Sequence, residues 1–276
     1  MAQGGRVLAD VLFAVLKEAK PGVSELELDR MAEKLIREKG GEPGFKKVPG
    51  YKHTICVSTN NVVVHGIPTA YKLKEGDVLG IDCGVYFEGF HTDMAETIRV
   101  VRGPVRSSFP AFAEATAGRP ASAAVPREAL RSGVWSPPAS VTPNIGLFLE
   151  TGKQALEEAI KVARAGNRIG HISKTIQDIV EGGGYSVVRS LIGHGVGVSL
   201  HEEPEVPGFL SRPIEKTPEL VAGMTIAIEV IYNMGKKDVI YANRDGWTIK
   251  TADNSLSGLF ERTVAIDRDG PRILTA

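Results

Sequence analysis

The sequence predicts an α+β chain made of two related halves, each with helices followed by short strands. Three observations predict it. Apolar residues first recur at helical spacing, then give way to short strand-like runs cut by Gly, Pro and Asn. The same opening returns at an offset of 144 residues, where Leu28, Met31, Leu35 and Gly40 fall on Ile172, Thr175, Ile179 and Gly184; only Met31/Thr175 loses its apolar character. Finally, 276 residues, 42% of them hydrophobic, give ample chain for a real core.

The elements follow in order. Leu8, Val11, Leu12, Val15 and Leu16 line one face of a helix over Val7–Glu18, which Pro21-Gly22 ends. Ser24 with Glu27 three residues on is a capping-box pattern, so a second helix runs to about Lys39 before Gly40-Gly41. Strands are expected near Thr54–Ser58, Val78–Tyr86 and His91–Val100. The second half repeats the plan, with helices near Thr151–Ala163 and Ile169–Glu181. Between the halves, Gly103–Pro143 holds seven of the sixteen prolines and no sustained period, the composition of a disordered or loop insertion.

Composition also excludes functions. Thirty-three Lys plus Arg balance thirty-three Asp plus Glu, so no strong positive field marks a nucleic-acid site. No run reaches the ~20 apolar residues of a membrane span, and no basic segment followed by an apolar core opens the chain. Cys56 and Cys83 alone make no disulfide framework. A cytoplasmic protein is expected.

The chemistry lies in acidic residues placed among apolar ones. Asp82 and Asp93 flank a hairpin tip near Gly89, and a simple register sets them opposite each other, about 5 Å apart. Either a divalent cation lies between them or one of them faces water. Glu229, within Thr225-Ile226-Ala227-Ile228-Glu229-Val230-Ile231, has apolar or small neighbours on both sides; a carboxylate buried there wants a cation or a proton donor. Glu261 sits in a similar run, and Arg262 beside it points to the opposite strand face. His194 lies between two glycines that let a ligand approach the backbone, seven residues before His201. His201-Glu202-Glu203-Pro204-Glu205 is no zinc-protease helix, since Pro204 breaks a helix and Glu205 replaces the second histidine. Two Asp, two Glu and one His favour hard or borderline ions such as Mn, Fe, Co or Zn, and two ions rather than one. Such a pair suits a hydrolase.

In order along the chain, the motifs are Cys56-Val57-Ser58-Thr59-Asn60-Asn61, Val64-His65-Gly66-Ile67-Pro68, Ile81-Asp82, His91-Thr92-Asp93, Gly193-His194-Gly195, His201-Glu202-Glu203-Pro204, Ile228-Glu229, Asp245-Gly246-Trp247-Thr248 and Phe260-Glu261. With these the chain resembles the type I methionine aminopeptidases of the pita-bread metallopeptidase fold. The resemblance covers all but Gly103–Pro143 and implies one catalytic domain over residues 1–276, two pseudo-symmetric α/β halves around a curved antiparallel sheet.

It further implies roles. Asp82 would bind one metal, His194 and Glu229 the second, with Asp93 and Glu261 bridging. His65 and His201 would orient the peptide and stabilise the oxyanion. Cys56 and Trp247, helped by Tyr51 and Leu200, would line the methionine pocket, whose soft apolar walls suit a thioether. The implied reaction removes the N-terminal methionine of nascent polypeptides ahead of a small second residue. A hydroxide bridging the metals attacks, and Glu229 shuttles the proton. The expected partners are nascent N-termini and, transiently, the ribosome, for a monomer with no membrane or nucleic-acid site. The rivals are an Xaa-Pro peptidase of the same fold and a non-catalytic pita-bread binding protein. The first is disfavoured by the Cys56 stretch, His65-Gly66-Ile67-Pro68 and Trp247, the second by retention of all five ligands. Three features depart from the family pattern: Arg262 in place of histidine, the short segment before the first helix, and the insertion.

Overall fold

A computed structural model describes residues 1–103 and 144–276, so the proposed insertion, Gly103 apart, lies outside the described residues. The chain opens with α1 (Ala2–Glu18), which starts earlier than the predicted Val7. The added turn is buried because Gly4 lies against Phe87, while a Cβ on Gly5 would overlap the Leu274 carbonyl. Helix α2 (Glu25–Glu38) carries the expected capping box: Ser24 Oγ accepts from Glu27 N at 3.3 Å, and Glu27 accepts from Ser24 N at 2.7 Å. Strands β1 (Glu42–Pro43), β2 (Ile55–Thr59), β3 (Val62–Val64), β4 (Val78–Phe87) and β5 (Phe90–Arg99) follow.

The second half begins with α3 (Ile145–Val162) and α4 (Ile169–Gly182). An offset of 144 carries α2 onto α4 end for end. It also carries Gly22 and Gly40, at φ 96° and 78°, onto Gly166 and Gly184, at 86° and 83°. The duplication in the sequence is therefore a duplication of backbone. Strands β6 (Ser186–Val187), β7 (Gly193–Gly195), β8 (Glu202–Val206), β9 (Thr225–Asn233), β10 (Val239–Tyr241), β11 (Ile249–Thr251), β12 (Ser257–Asp267) and β13 (Gly270–Ile273) complete it. His201-Glu202-Glu203-Pro204 leads into a strand, as the proline required.

The main sheet is antiparallel in the order β1-β4-β5-β12-β9-β7-β8, with β2 on β4, β6 on β9 and β13 on β12; β10-β11-β3 form a smaller sheet. The halves meet where β5 pairs with β12. One core lies beneath α1 and α2 and includes Leu8, Leu12, Leu28, Ile81 and Met94. The other lies beneath α3 and α4 and includes Phe148, Leu156, Ile172, Ile228 and Phe260. Each fully buried side chain of this size contributes about 1.5–3 kcal/mol of transfer free energy.

One expectation is corrected. Asp82 and Asp93 do not face each other; Asp82 pairs with Ala95, and Asp93 with Gly84. The turn is the two-residue Glu88-Gly89, with φ 47° and 91°, which closes the ladder at Phe87–Phe90. That moves the register by two residues, so both carboxylates stay on one face as diagonal neighbours.

Helix α3 touches the sheet through Gly152. A Cβ there would overlap the Tyr232 hydroxyl and come within 2.6 Å of the Phe260 ring. Gly152→Ala is expected to destabilise the fold by about 1–3 kcal/mol, as overpacking does. A lowered urea midpoint with unchanged m-value would show it.

Candidate metal centre and active site

Five adjoining strands each present one candidate ligand on the same face: Asp82 on β4, Asp93 on β5, Glu261 on β12, Glu229 on β9 and His194 on β7. The registers explain the convergence. Glu261 stands opposite Glu229 across β12 and β9, and opposite Ala95 across β12 and β5. Ala95 also faces Asp82, while Ala227 faces His194. Two methyl groups thus occupy the positions between the acids, leaving the carboxylates room to converge.

Four carboxylates converging in an apolar sheet need either a counter-charge or protons to neutralise them. Burial pushes Asp82, Glu229 and Glu261 well above the ordinary carboxylate range, and neighbouring carboxylates add to the shift. Burial likewise raises Asp93, to about 7, against an opposing hydrogen bond from Asp82. Asp82 Oδ1 and Glu261 Oε1 are buried without a hydrogen-bond partner. Ligand atoms of Asp93, His194 and Glu261 all lie within 4.8 Å of one another. Glu229 Oε1 stands 3.5 Å from His194 Nε2.

The imidazole is set for coordination. His194 Nδ1 is 2.8 Å from the Gly195 carbonyl, which can only accept, so Nδ1 carries the proton and Nε2 offers its lone pair to the acids. Burial lowers the His194 pKa to about 4, which keeps the ring neutral at pH 7. Orphaned acceptors and a bare imidazole nitrogen fit divalent metal ions.

Every residue expected at the site lines one cavity of about 190 Å³: the five ligands together with His65, His201, Cys56, Trp247, Tyr51 and Leu200. Cys56 stands across β2 and β4 from Asp82, so the apolar wall begins beside the acids. Tyr51 is held by its hydroxyl, which donates to the Ile55 carbonyl at 2.9 Å. Its ring meets Trp247 edge-on at 5.1 Å. Trp247 is placed by Asp245, whose Oδ1 accepts from the N–H groups of Trp247 and Thr248, both at 2.8 Å. His65 follows β3 at φ 55°, and Gly66 behind it packs so tightly on the Val57 carbonyl that no Cβ fits. His201 lies against His194, ring centroids 4.4 Å apart. Burial lowers the pKa of both His65 and His201, with His201 adding to the shift of His65.

Six further residues also line the cavity: Val64 and Ile231, from runs already singled out in the sequence, and Phe45, Val48, Leu191 and Ile192, which lie outside any such run. One signal was there for Phe45: Gly84 lies between Asp82 and the hairpin tip, and a Cβ on it would come within 2.7 Å of the Phe45 ring. Arg262 turns away from the acids, as its strand position required. Its Nη2 meets Glu96 at 2.8 Å on the far face of the sheet.

Comparison with known proteins agrees with this geometry. The family model of metallopeptidase family M24 matches residues 1–117 and 141–267. The methionine aminopeptidase of Clostridium perfringens is 37% identical over 275 residues, covering 100% of this chain and 94% of the relative. Methionine aminopeptidase 1 of Mycobacterium tuberculosis is 38% identical over 280 residues, covering 100% and 91%. The crystal structure of the Thermotoga maritima methionine aminopeptidase superposes with a TM-score of 0.82 at 31% identity, over 100% of this chain and 94% of that one. The Pyrococcus furiosus prolidase shares the fold at a TM-score of 0.66 and 19% identity, and this chain spans 62% of it.

Proposed function

The chain belongs to metallopeptidase family M24, with methionine aminopeptidases as full-length relatives, and on that premise we propose that it removes the N-terminal methionine of nascent polypeptides, preferring a small second residue. The observation that carries the reading is the alignment of five candidate ligands on five adjoining strands within one cavity that also has apolar walls. Two divalent ions, Mn, Fe, Co or Zn, fit the donor set. Asp82 and Asp93 would hold one; His194 Nε2 and Glu229 the other, with Asp93 and Glu261 shared. When bound, such a pair acidifies a water and polarises the scissile carbonyl.

The chain's own residues do the rest. Cys56, Tyr51, Leu200 and Trp247, with Phe45 beside them, take the methionine side chain and fix the first peptide bond over the acids. Neutral His65 and His201 each donate a ring N–H towards the carbonyl oxygen as its charge develops. Glu229 accepts the proton of the attacking water and returns it to the leaving amine.

All five ligands come from one chain, which supports a monomer. The family model resumes after leaving 118–140 unmatched, which supports one catalytic domain interrupted by an insertion within 103–143. No helix among the described residues is long and apolar enough to cross a membrane. The proposed substrates, nascent N-termini, support a cytoplasmic enzyme in transient contact with the ribosome.

The deciding experiment is hydrolysis of Met-Ala-Ser by chelator-stripped protein after adding back Mn, Co or Fe, with an Xaa-Pro peptide alongside. Metal-dependent release of methionine is expected. Cleavage of the Xaa-Pro peptide alone would favour the prolidase reading; cleavage of neither by folded, metal-loaded protein would refute an enzyme. The pocket has its own test: Phe45→Ala removes a wall. It should reduce the kcat/KM preference for Met-Ala-Ser over Phe-Ala-Ser by about tenfold.

A further inference from the structure

We propose that Arg262 is a positioning residue for the metal carboxylates: it locks β5 to β12 where the two halves meet, and so sets the spacing of Asp93 from Glu261. The proposal rests on the metal-centre reading above.

The junction differs from the strand pairs on either side of it. Strands β4 and β5 pair from end to end, and β9 pairs with β12 from Thr225 to Asn233. Between β5 and β12 the register holds only Glu261 against Ala95 and Arg262 against Met94. Beyond those two pairs, threonine hydroxyls bridge the strands. Thr263 Oγ1 accepts from Asp93 N at 2.9 Å and donates to the Asp93 carbonyl at 2.8 Å. Thr97 Oγ1 accepts from Leu259 N at 2.9 Å and donates to the Leu259 carbonyl at 2.7 Å. Strands β5 and β12 are therefore joined by few direct backbone bonds, at the place where Asp93 and Glu261 sit.

Arg262 reinforces that place from the opposite face. Its Nη1 donates to the Glu261 carbonyl at 2.7 Å and the Ala95 carbonyl at 3.1 Å, one from each strand. Its Nη2 donates to Glu96 at 2.8 Å, with both side chains 3% exposed. A guanidinium is planar, so its three bonds fix the two strands and Glu96 in one geometry; an ammonium cannot reproduce that fork. A buried ion pair adds little net stability compared with apolar packing, so this one is better explained by the registry it enforces. One bond is to the backbone of Glu261 itself; another is two residues from Asp93. A slip of the seam would displace one shared ligand relative to the other.

The test is calorimetric titration of Mn into chelator-stripped protein, comparing the parent with Arg262→Lys and Glu96→Gln after each is shown to be folded. Arg262→Lys keeps a charge for Glu96 but loses the fork, and should bind Mn 10–100-fold more weakly, the usual cost of removing a group that orients metal ligands. Glu96→Gln keeps the fork and should hold Mn affinity within about threefold even if its Tm falls. In the Mn-loaded protein, the electron-paramagnetic signal of the coupled ions, which reads their separation, should change in the Lys variant and not in the Gln variant. If Arg262→Lys does not fold, the double replacement Arg262→Met with Glu96→Met removes both charges together and should show the same loss. Parent-like Mn affinity in a folded Arg262 variant would overturn this proposal alone. A parent that binds no Mn would overturn the metal-centre reading, and this proposal with it.

Discussion

Asp93→Asn should release methionine from Met-Ala-Ser at least about 10³-fold more slowly than the parent, because the proposed metal site, which would supply an acidified water near neutral pH, loses an anionic ligand. The same variant, stripped of metal, should unfold at a higher temperature than the stripped parent. The two effects share one cause. Asp93 lies on β5, between the strands that carry Asp82 and Glu261, and is diagonal to each. An amide would be a neutral ligand where the proposed site has an anion, so metal would be held less tightly. Without metal, that anion is one of four crowded acids that burial holds above their ordinary pKa, with neighbouring carboxylates adding to the shift of the other three. Asparagine removes one charge and offers an N–H to Asp82, whose Oδ1 has no partner.

The pH dependence follows from the sign of those shifts. Groups with raised folded pKa bind more protons folded than unfolded, so their contribution to stability is present at low pH and is lost as pH rises. For Asp93 the window runs from the ordinary carboxylate value of 3.8 to about 7. The Tm of the stripped parent should fall across that window, and that of Asp93→Asn less steeply. Mn should abolish the fall in the parent by competing with the protons. Scanning calorimetry with chelator and with Mn tests all three. A stripped variant no more stable than the parent would mean that the acids impose no cost on the fold.

Much of this site was legible because a carboxylate inside an apolar strand run is chemically conspicuous. Asp82, Glu229 and Glu261 stand out that way, and His194 by the glycines around it. The capping box at Ser24 and the 144-residue repeat were legible because caps and helix faces depend on local spacing. What depended on tertiary context was not. The Asp82–Asp93 register turned on where the hairpin closed, and Glu88 at positive φ gives no strong sequence signal. Helix α3 begins at Ile145 rather than Thr151 because Asn144 caps it, accepting from Leu147 N at 3.0 Å just past the proline-rich stretch. Phe45, Val48, Leu191 and Ile192 could not be told from core residues, since a pocket wall and a core obey the same apolar rule. The threonine-bridged seam was invisible too, because β5 and β12 lie more than 150 residues apart in the chain.

His201→Ala should lower kcat by about 10²–10³-fold with little change in KM, the cost of removing one donor to a developing oxyanion. The ring's position makes it a transition-state group. It lies 4.4 Å from the His194 ring, beside the acids, and the backbone before it is pinned twice. His91 N–H donates to the Gly197 carbonyl at 2.7 Å, and Glu202 Oε1 accepts from Ser199 N at 2.7 Å. Donors held before substrate arrives need no reorganisation during reaction, which is why their loss appears in kcat. His65 differs: its ring stands 6.4 Å from Trp247, against the side-chain pocket, so His65→Ala should raise KM as well as lower kcat. Burial lowers the pKa of both rings, so they stay neutral donors as pH falls below 6.5. The acid limb of kcat should therefore lie below that value, and neither alanine variant should move it upward. Steady-state kinetics on Met-Ala-Ser at saturating Mn, from about pH 5 to pH 8, would read both parameters. An unchanged kcat in His201→Ala would remove that ring from the reaction and leave the carbonyl oxygen to the metals and His65.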